Sequence, residues 1–386
     1  MNPFVFSTTS QIVFRSGASA EIGGLVKPKL GNRVLFVTDP GLRKLGLCDP
    51  ALTSLSKAGV ETTVFDSVEA DPSLATVLAA NHAAKSAGVT GVIGFGGGSS
   101  LDVAKLAALL SGSGEDIDSA WGVGNAKGPR LPLVLVPTTA GTGSEVTPVS
   151  IVTVQGDEKR GVSSPIILPD IAILDADLTV GLPAHITAAT GIDAMVHAIE
   201  AYASKNANNN PLSKMLARQA LQLLGANIEK AVFDGKDRDA RGAMLLGSML
   251  AGQAFANSPV AAVHALAYPI GGTFHVPHGL SNALVLPHVL RFNAPEAASL
   301  YADIAADVFP DLASEQSIQG RSAAFIERLA DLSSKLGLQP RLRDVGIGEE
   351  YLATMARDAM KQTRLLVNNP RDVNEADALS IYKAAW

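Results

Sequence analysis

The chain has 386 residues, of which 47% are hydrophobic and 18% are charged, and this length suggests two domains with separate cores. The formal net charge is −6 at pH 7 and no basic cluster stands out, which argues against a nucleic-acid partner. Because Cys48 is the only cysteine, a disulfide framework is excluded and a cytoplasmic protein is expected. The first 17 residues alternate like a strand and lack the basic and apolar regions of a signal peptide.

Strand-like and helix-like segments alternate through the first half of the chain. Short apolar runs predict strands at 33–39, 62–68, 90–96 and 131–137, and the segments after them have helical spacing. Continuous apolar strands alternating with helices predict a parallel sheet that is covered on both faces. Ligands of such sheets bind at the carboxyl ends of the strands.

A glycine loop, GFGGGSSLD, follows one of these strands at residues 94–102. Gly97, Gly98 and Ser99 would lie where the strand turns into a helix, and there backbone N–H groups and the helix N-terminus favour a phosphate. The alternative is a tight turn without a ligand. The loop lacks the third glycine of G-x-G-x-x-G and the lysine of a P-loop, so the pattern by itself leaves both interpretations open.

Two further strand ends carry polar side chains. The loop PTTAGTGSE (137–145) offers the hydroxyls of Thr138, Thr139, Thr142 and Ser144, as a surface turn or as the other side of a nucleotide cleft. Asp39 follows the first strand of the alternating region. Its carboxylate could accept hydrogen bonds from a ribose and repel a 2′-phosphate, or it could cap the next helix.

From about residue 183 the spacing is helical throughout, which places a domain boundary near residue 180. No Asp, Glu, Lys or Arg occurs between Arg241 and Arg291, yet this span contains four of the seven histidines. Polar residues, prolines and glycines interrupt every window of about 20 residues that could cross a bilayer, so no membrane partner is expected. A buried helical core would explain the missing charges but not the histidines.

A metal site explains the histidines better. Asp193 and His197 are four residues apart, so a helix would place them on one face. That pair alone is more typical of a capped helix with a core histidine. Together with His264 and His278 it makes a set of one oxygen and three nitrogen ligands, which suits a divalent transition metal.

The motifs GGGSSLDVAK (96–105), PTTAGTGSEVTP (137–148), GIDAMVHAIEAY (191–202) and VHALAYPIGGTFHVPHGLSNALVLPHV (263–289), with NNPRDV (368–373), resemble the iron-containing (group III) alcohol dehydrogenases. The resemblance covers essentially the whole chain in the right order. It implies a dehydroquinate synthase-like fold: an α/β dinucleotide-binding domain at 1–180, with a parallel sheet and flanking helices, an all-helical metal-binding and catalytic domain at 181–386, and a cleft between them. It also implies a homodimer.

The same resemblance implies the positions of the site residues. The metal, Fe²⁺ in preference to Zn²⁺, would be held by Asp193, His197, His264 and His278. NAD would be bound by Asp39, Gly97, Gly98, Ser99, Asp102, Thr138, Thr139 and Thr142, with Ser144, Lys159 and Leu178 bordering its site. The substrate pocket would be lined by Phe255, Val260 and Leu365.

One position departs from the family pattern H-x-x-x-H-P, whose second histidine is replaced here by Tyr268. A tyrosine is a poor base near neutral pH because its pKa is ordinarily about 10. We therefore expect Tyr268 to shape the pocket and His275, three residues before His278, or water to carry the proton.

These features predict reversible hydride transfer between a small alcohol, or its aldehyde, and NAD, with a metal as Lewis acid. One alternative is a hydroxyacid dehydrogenase or transhydrogenase acting on a 4-hydroxybutyrate-like substrate. It would need a cation to bind the carboxylate, and the charge-free span supplies none. A carbon–oxygen lyase of the dehydroquinate synthase type would need a cluster of basic residues, which the motif regions lack. A binding or structural role would not need an intact ligand set.

Overall fold

The computed structural model describes residues 3–154 and 158–386. The chain divides into two compact units. One is an α/β unit containing Ser7–Thr139 and Gly143–Gly181. The other is a helical unit built from Leu182–Trp386, to which the short segment Ala140–Thr142 and the N-terminal residues as far as Phe6 belong.

The α/β unit contains a six-stranded sheet whose strand order is β1-β9-β6-β4-β2-β3, and every pairing in it is parallel. A three-stranded sheet of order β5-β8-β7 accompanies it. The strands are β1 (Gln11–Phe14), β2 (Arg33–Val37), β3 (Glu61–Phe65), β4 (Gly91–Gly96), β5 (Gly122–Val123), β6 (Leu133–Pro137), β7 (Val149–Thr153), β8 (Lys159–Ser163) and β9 (Ile171–Leu174). The helices between them are α1 (Ile22–Leu30), α2 (Pro40–Lys44), α3 (Asp49–Lys57), α4 (Leu74–Ala87), α5 (Gly98–Ser113) and α6 (Ile117–Ala120).

Both faces of the large sheet are covered, as the continuous apolar strands predict. On β2, Val34 and Phe36 belong to one hydrophobic cluster, whereas Leu35 and Val37 belong to the cluster on the opposite face. Alternate side chains of a strand point to opposite faces, so each face needs its own layer of helices. The predicted parallel sheet with flanking helices is confirmed.

Gly94 shows how closely helix α5 approaches strand β4. A Cβ atom at this position would lie 2.6 Å from Leu135 Cδ2 and 2.8 Å from Ala104 Cβ. Any larger residue would therefore push the helix away from the sheet. This close packing places the first turn of α5 directly at the carboxyl end of β4.

The N-terminal prediction was too long. Of residues 3–17, which the structure describes, only Gln11–Phe14 form a strand, and this strand pairs with β9 at the edge of the sheet. Alternation extends beyond these residues, but the ladder with β9 covers Gln11–Phe14 and continues with one further bond, from the Arg15 amide to the Leu174 carbonyl. The predicted strand at 33–39 likewise ends at Val37.

The second unit is helical, and all strands of the described ranges precede residue 175. No helix in those ranges is long and apolar enough to cross a membrane. Its helices are α7 (Ala184–Ala203), α8 (Pro211–Phe233), α9 (Arg238–Asn257), α10 (Ala262–Phe274), α11 (His278–Val308), α12 (Ile318–Lys335), α13 (Leu352–Ala359), α14 (Thr363–Leu366) and α15 (Glu375–Ala385).

Helix α7 is the central helix of this unit and packs against α8, α9 and α11. Residues 191–203 of α7 are all buried. Most of α10 and the first half of α11 are buried as well, which accounts for the charge-free span, since an unpaired charge is costly to bury. Asp193 and His197 therefore lie inside the unit and need partners there.

Candidate metal centre

Three helices bring four potential ligands together. Asp193 and His197 lie on α7, His264 lies on α10, and His278 is the first residue of α11. One ligand atom from each side chain lies within 4.8 Å of the others. Asp193, His197 and His264 are buried, whereas the His278 side chain is 41% exposed. The centre is therefore enclosed on the side of α7 and α10 and open at His278.

Gly279 allows α11 to begin beside α7. A Cβ atom on Gly279 would lie 2.3 Å from the carbonyl oxygen of Ala189 and 3.3 Å from Asp193 Cβ. Any side chain here would force the two helices apart. The glycine after His278 thus lets His278 Nε2 come to 3.6 Å from Asp193 Oδ1.

Two histidines are oriented through their Nδ1 atoms. His264 Nδ1 lies 2.6 Å from Glu200 Oε2, and the other oxygen of Glu200 accepts a hydrogen bond of 2.7 Å from the Val263 amide. His197 Nδ1 lies 3.2 Å from the carbonyl oxygen of Gly141. A carboxylate and a carbonyl can only accept, so each Nδ1 carries the proton and each Nε2 keeps a free lone pair.

The protonation states suit metal binding. Burial lowers the pKa of His197 to about 3, so its imidazole is neutral at physiological pH. Burial opposes ionisation of Asp193, but the nearby His278, His197 and His264 outweigh it and hold its pKa below the ordinary value. Neutral imidazoles and an ionised carboxylate are the forms that bind a cation.

Asn282 shows that the acceptor atoms of the centre converge. Its Nδ2 lies 2.6 Å from Asp193 Oδ1 and 3.3 Å from Nε2 of both His264 and His278. Its Oδ1 is buried and, among the described residues, has no hydrogen-bond partner. One NH₂ group thus faces three acceptors, an arrangement that attracts positive charge. The residues present fit a divalent cation.

The predicted pocket residues lie in different surroundings. The ring of Phe255 stacks on His197 with centroids 4.4 Å apart, so this side chain is a neighbour of the metal centre. Val260 and Leu365 are buried, at 8% and 3% exposure, but they do not contribute to the ligand cluster. Their role in a substrate pocket stays a prediction.

Tyr268 and His275 differ in position. Tyr268 lies one turn after His264 on α10, and its ring centroid is 6.3 Å from that of His278. Arg364 Nη2 donates to the Tyr268 hydroxyl over 3.4 Å. His275 caps the C-terminus of α10 in the left-handed conformation with φ 56° and is exposed. It is not one of the clustered ligands, and its proton role stays a prediction.

The predicted glycine and threonine residues of the cofactor site lie at the carboxyl ends of β4 and β6. Gly97 is the N-cap of α5, and Gly98 and Ser99 form its first turn. A Cβ atom on Gly97 would lie 3.7 Å from Thr139 Cγ2, so the glycine loop and the threonine loop are adjacent. The Thr138 amide donates to the carbonyl of Gly96.

Asp102 and Ser144 form part of a buried network in the α/β unit. Ser144 Oγ donates to Asp102 Oδ1 over 2.6 Å, and Lys105 Nζ donates to Ser144 Oγ over 2.8 Å. The other oxygen of Asp102 accepts from the amide of Ile151 over 2.9 Å. These bonds hold the threonine loop against α5, so both residues support the loops next to them.

The remaining predicted cofactor residues have structural partners of their own. Asp39 Oδ1 accepts from the amide of Leu42 over 2.9 Å, so this residue is the N-cap of α2. Lys159 Nζ is bound by Asp71 at 2.7 Å, and Leu178 packs in a hydrophobic cluster. Thr142 belongs with the helical unit.

The chain matches two family models. The model described as iron-containing alcohol dehydrogenase covers residues 9–176, and the model of the C-terminal part of the Fe-containing alcohol dehydrogenase family covers residues 187–386. The chain belongs to the iron-containing alcohol dehydrogenase family. The resemblance seen in the sequence motifs is thereby confirmed.

Individual relatives support this membership. Long-chain-alcohol dehydrogenase 1 of Geobacillus thermodenitrificans (strain NG80-2) is 41% identical over 376 residues, which is 96% of this chain and 93% of that protein. A solved structure of 1,3-propanediol oxidoreductase superimposes with a TM-score of 0.95 at 35% identity, covering 100% of both chains. Sulfoacetaldehyde reductase from Bifidobacterium kashiwanohense, solved in complex with NAD⁺, superimposes with a TM-score of 0.87 at 27% identity and covers 99% and 98% of the two chains.

Membership makes this protein a metal-dependent oxidoreductase of alcohols and aldehydes, as the sequence predicts. The family relationship does not favour the hydroxyacid or lyase alternatives.

Two residues of the metal centre, Glu200 and Asn282, were not identified from the sequence. Glu200 could have been noticed, because it is a second carboxylate on the same face of an apolar helix as Asp193 and His197. Asn282 gives no comparable signal.

Glu200 should be needed for tight metal binding. In Glu200→Gln the amide has a single acceptor oxygen for two donors, His264 Nδ1 and the Val263 amide, and it lacks the negative charge. We expect metal affinity to fall by about 10- to 100-fold with the fold retained. Competition with a chelator and circular dichroism measure the two effects. Glu327→Gln, which changes an exposed carboxylate paired with Arg291, is the control, and equal affinity in both variants would contradict the prediction.

Proposed function

We propose that this protein transfers a hydride reversibly between a small alcohol and NAD at the centre formed by Asp193, His197, His264 and His278, with Fe²⁺ preferred and Zn²⁺ as the alternative. The convergence of buried acceptor atoms on one point carries the proposal. When bound, the cation supplies Lewis acidity toward the substrate oxygen and NAD accepts the hydride. The histidine-rich, thiolate-free ligand set suits either metal.

The chain's own residues prepare this chemistry. Glu200 and the Gly141 carbonyl hold two imidazoles in the tautomer that leaves Nε2 free. The ring of Phe255 stacks on that of His197. Asp193, His197 and His264 are buried, so electrostatic interactions among them are stronger than in solvent. The substrate oxygen would approach from the open side at His278.

We propose that the carboxyl ends of β4 and β6 bind NAD. Gly97, Gly98 and Ser99 would hold the pyrophosphate through backbone N–H groups at the start of the 16-residue helix α5. Asp102 and Ser144 would fix the loop, while Asp39 would select NAD through the ribose. The roles of Thr138, Thr139, Thr142, Lys159 and Leu178 rest on the family resemblance. The NAD⁺ complex of a family structure supports the choice of cofactor.

The organisation of the protein is proposed on the same grounds. We place the domain boundary at residue 180, with the dinucleotide-binding domain before it and the metal-binding domain after it. A homodimer in the cytoplasm is proposed from the family resemblance and from the single cysteine of the chain.

The metal assignment is tested with His264→Ala and His278→Ala. Removing one imidazole leaves three ligands, so tight metal binding and alcohol oxidation should both be lost while the helical content persists. Elemental analysis of the purified variants and the rate of NADH formation measure the two losses. His288→Ala on the same helix as His278 is the control. Full metal content and turnover in the first two variants would show that the assignment is wrong.

The cofactor preference is tested at Asp39. Asp39→Gly should shift the ratio of the kcat/KM values toward NADP by about tenfold or more, or roughly 1.4 kcal/mol, because the repulsion of a 2′-phosphate is removed. Asp39→Asn serves as the matched variant, since asparagine keeps the cap of α2 but not the charge. An unchanged ratio in both variants would leave Asp39 with the capping role alone.

The proton path is tested by comparing Tyr268→Phe with His275→Ala. If Tyr268 shapes the pocket, Tyr268→Phe should keep turnover within about tenfold and change substrate preference. If His275 carries the proton, His275→Ala should lose turnover by about a hundredfold or more. Steady-state kinetics on several alcohols measure both. The opposite ranking would make Tyr268 the proton donor, a role for which its contact with Arg364 offers a physical basis.

A further inference from the structure

The open side of the metal centre has a defined lining. Of the four ligands, only His278 is substantially exposed, with 41% of its side chain accessible, and the ring of Tyr268 lies 6.3 Å from its ring. A substrate oxygen bound at the centre would therefore have the rest of the molecule on the side of His278 and Tyr268. Whatever borders Tyr268 there can contact the far end of the substrate.

Arg364 borders Tyr268. Its Nη2 donates to the tyrosine hydroxyl over 3.4 Å, and its side chain is exposed on α14. Among the described residues, Arg364 has no carboxylate partner. A guanidinium has five N–H donors in a rigid fork, so most of them remain available to a ligand. This arginine is thus a free cation one side chain away from the metal centre.

The position of Arg364 is held by its backbone. Asn368 Nδ2 donates to the carbonyl of Arg364 and to that of Val260, each over 3.0 Å. Asn368 Oδ1 in turn accepts from Asn206 Nδ2 over 2.8 Å. Asn368 thus connects α14 to the segment before α10, the helix that carries His264 and Tyr268, and Asn206 from the segment after α7 holds Asn368 in place.

The helices around Tyr268 offer no carboxylate from the charge-free span that could pair with Arg364. No Asp, Glu, Lys or Arg occurs between Arg241 and Arg291, and this span supplies both α10 and the start of α11. A carboxylated substrate needs a cation, and the span itself contains no Lys or Arg. In the folded chain Arg364, 96 positions beyond Tyr268, brings a cation to the edge of this span.

We propose that Arg364 binds an anionic group, a carboxylate or a sulfonate, at the far end of a short alcohol or aldehyde whose oxygen lies at the metal centre. This inference rests on the proposed function and names the substrate class within it. The guanidinium fork matches both anions with paired hydrogen bonds, and the Tyr268 hydroxyl orients the fork. Arg364 is then the residue that distinguishes two-ended anionic substrates from simple alcohols.

The experiment compares alcohols of similar size that differ at the far end: 3-hydroxypropanoate, 2-hydroxyethanesulfonate, propane-1,3-diol and propan-1-ol. The metal-loaded protein, Arg364→Gln and Arg364→Lys are assayed with each. We expect Arg364→Gln to lower the ratio of kcat/KM for the anions to that for propan-1-ol by about tenfold or more, mainly through KM. Arg364→Lys should restore part of the ratio. The two anions separate carboxylate from sulfonate recognition.

Arg357→Gln is the matched control, because it removes the same charge from an exposed arginine on a different helix, α13. It should leave the ratio as in the unmodified protein. If Arg357→Gln lowers the ratio as much as Arg364→Gln does, the change reflects only the loss of a positive charge at long range, and the proposal is overturned. If the protein oxidises propan-1-ol and Arg364→Gln does not change the ratio of kcat/KM for the anions to that for propan-1-ol, the anion site is rejected. The proposed function would remain intact.

A binding measurement separates the two hypotheses further. Calorimetric titration of the metal-loaded protein with 3-hydroxypropanoate does not require turnover. Binding that is lost in Arg364→Gln and kept in Arg357→Gln supports the anion site even if no alcohol is oxidised, an outcome that would reject only the proposed function. No binding of either anion to the unmodified protein would overturn the anion site.

Discussion

The helical unit depends on the convergence of acceptor atoms from α7, α10 and α11. Asp193, His264 and His278 direct their acceptors at one NH₂ group, that of Asn282, and His197 completes the set. Burying a carboxylate and imidazole lone pairs in an apolar helix core is costly unless each has a partner. Gly279 and the buried helix faces are therefore arranged around this point, and the same arrangement leaves room for a cation.

The contacts behind the ligands determine their chemistry. Glu200 connects α7 to α10 by accepting both from His264 and from the Val263 amide, so one carboxylate positions a ligand and anchors the start of its helix. The Gly141 carbonyl does the same for His197. Gly141 can reach α7 because a Cβ atom there would lie 2.7 Å from Thr190 Cβ. Both histidines are thus oriented by a group with little freedom of its own, a buried carboxylate for His264 and a backbone carbonyl for His197.

The α/β unit uses buried charge for a different purpose. Burial lowers the pKa of Lys105 to about 8 and raises that of Glu145 to about 7, so neither group is in its ordinary environment. Lys105 nonetheless donates to Ser144, Thr147 and the carbonyl of Val149. These bonds of Lys105 attach the loop after β6 to helix α5. The loop after β6 is thereby fixed beside the first turns of α5, the helix that begins at Gly98.

Sequence alone determined the class of fold and the kinds of ligand. Continuous apolar strands need cover on both faces, and a four-residue spacing puts Asp193 and His197 on one helix face, because both properties follow from local backbone geometry. The family motifs added the order of the domains and the reaction class. The strand limits were less accurate, since a strand ends where its neighbour ends, as β1 does against β9.

The tertiary structure decided which distant residues meet. Asn282 lies 89 positions from Asp193, Glu200 lies 64 from His264, and Arg364 lies 96 from Tyr268. No periodicity connects such pairs, because their contact depends on how helices pack and on which short segments reach between them. The sequence therefore identified the four metal-ligand candidates, whereas the groups that orient them, and the cation beside the open side of the centre, became visible only in the folded chain.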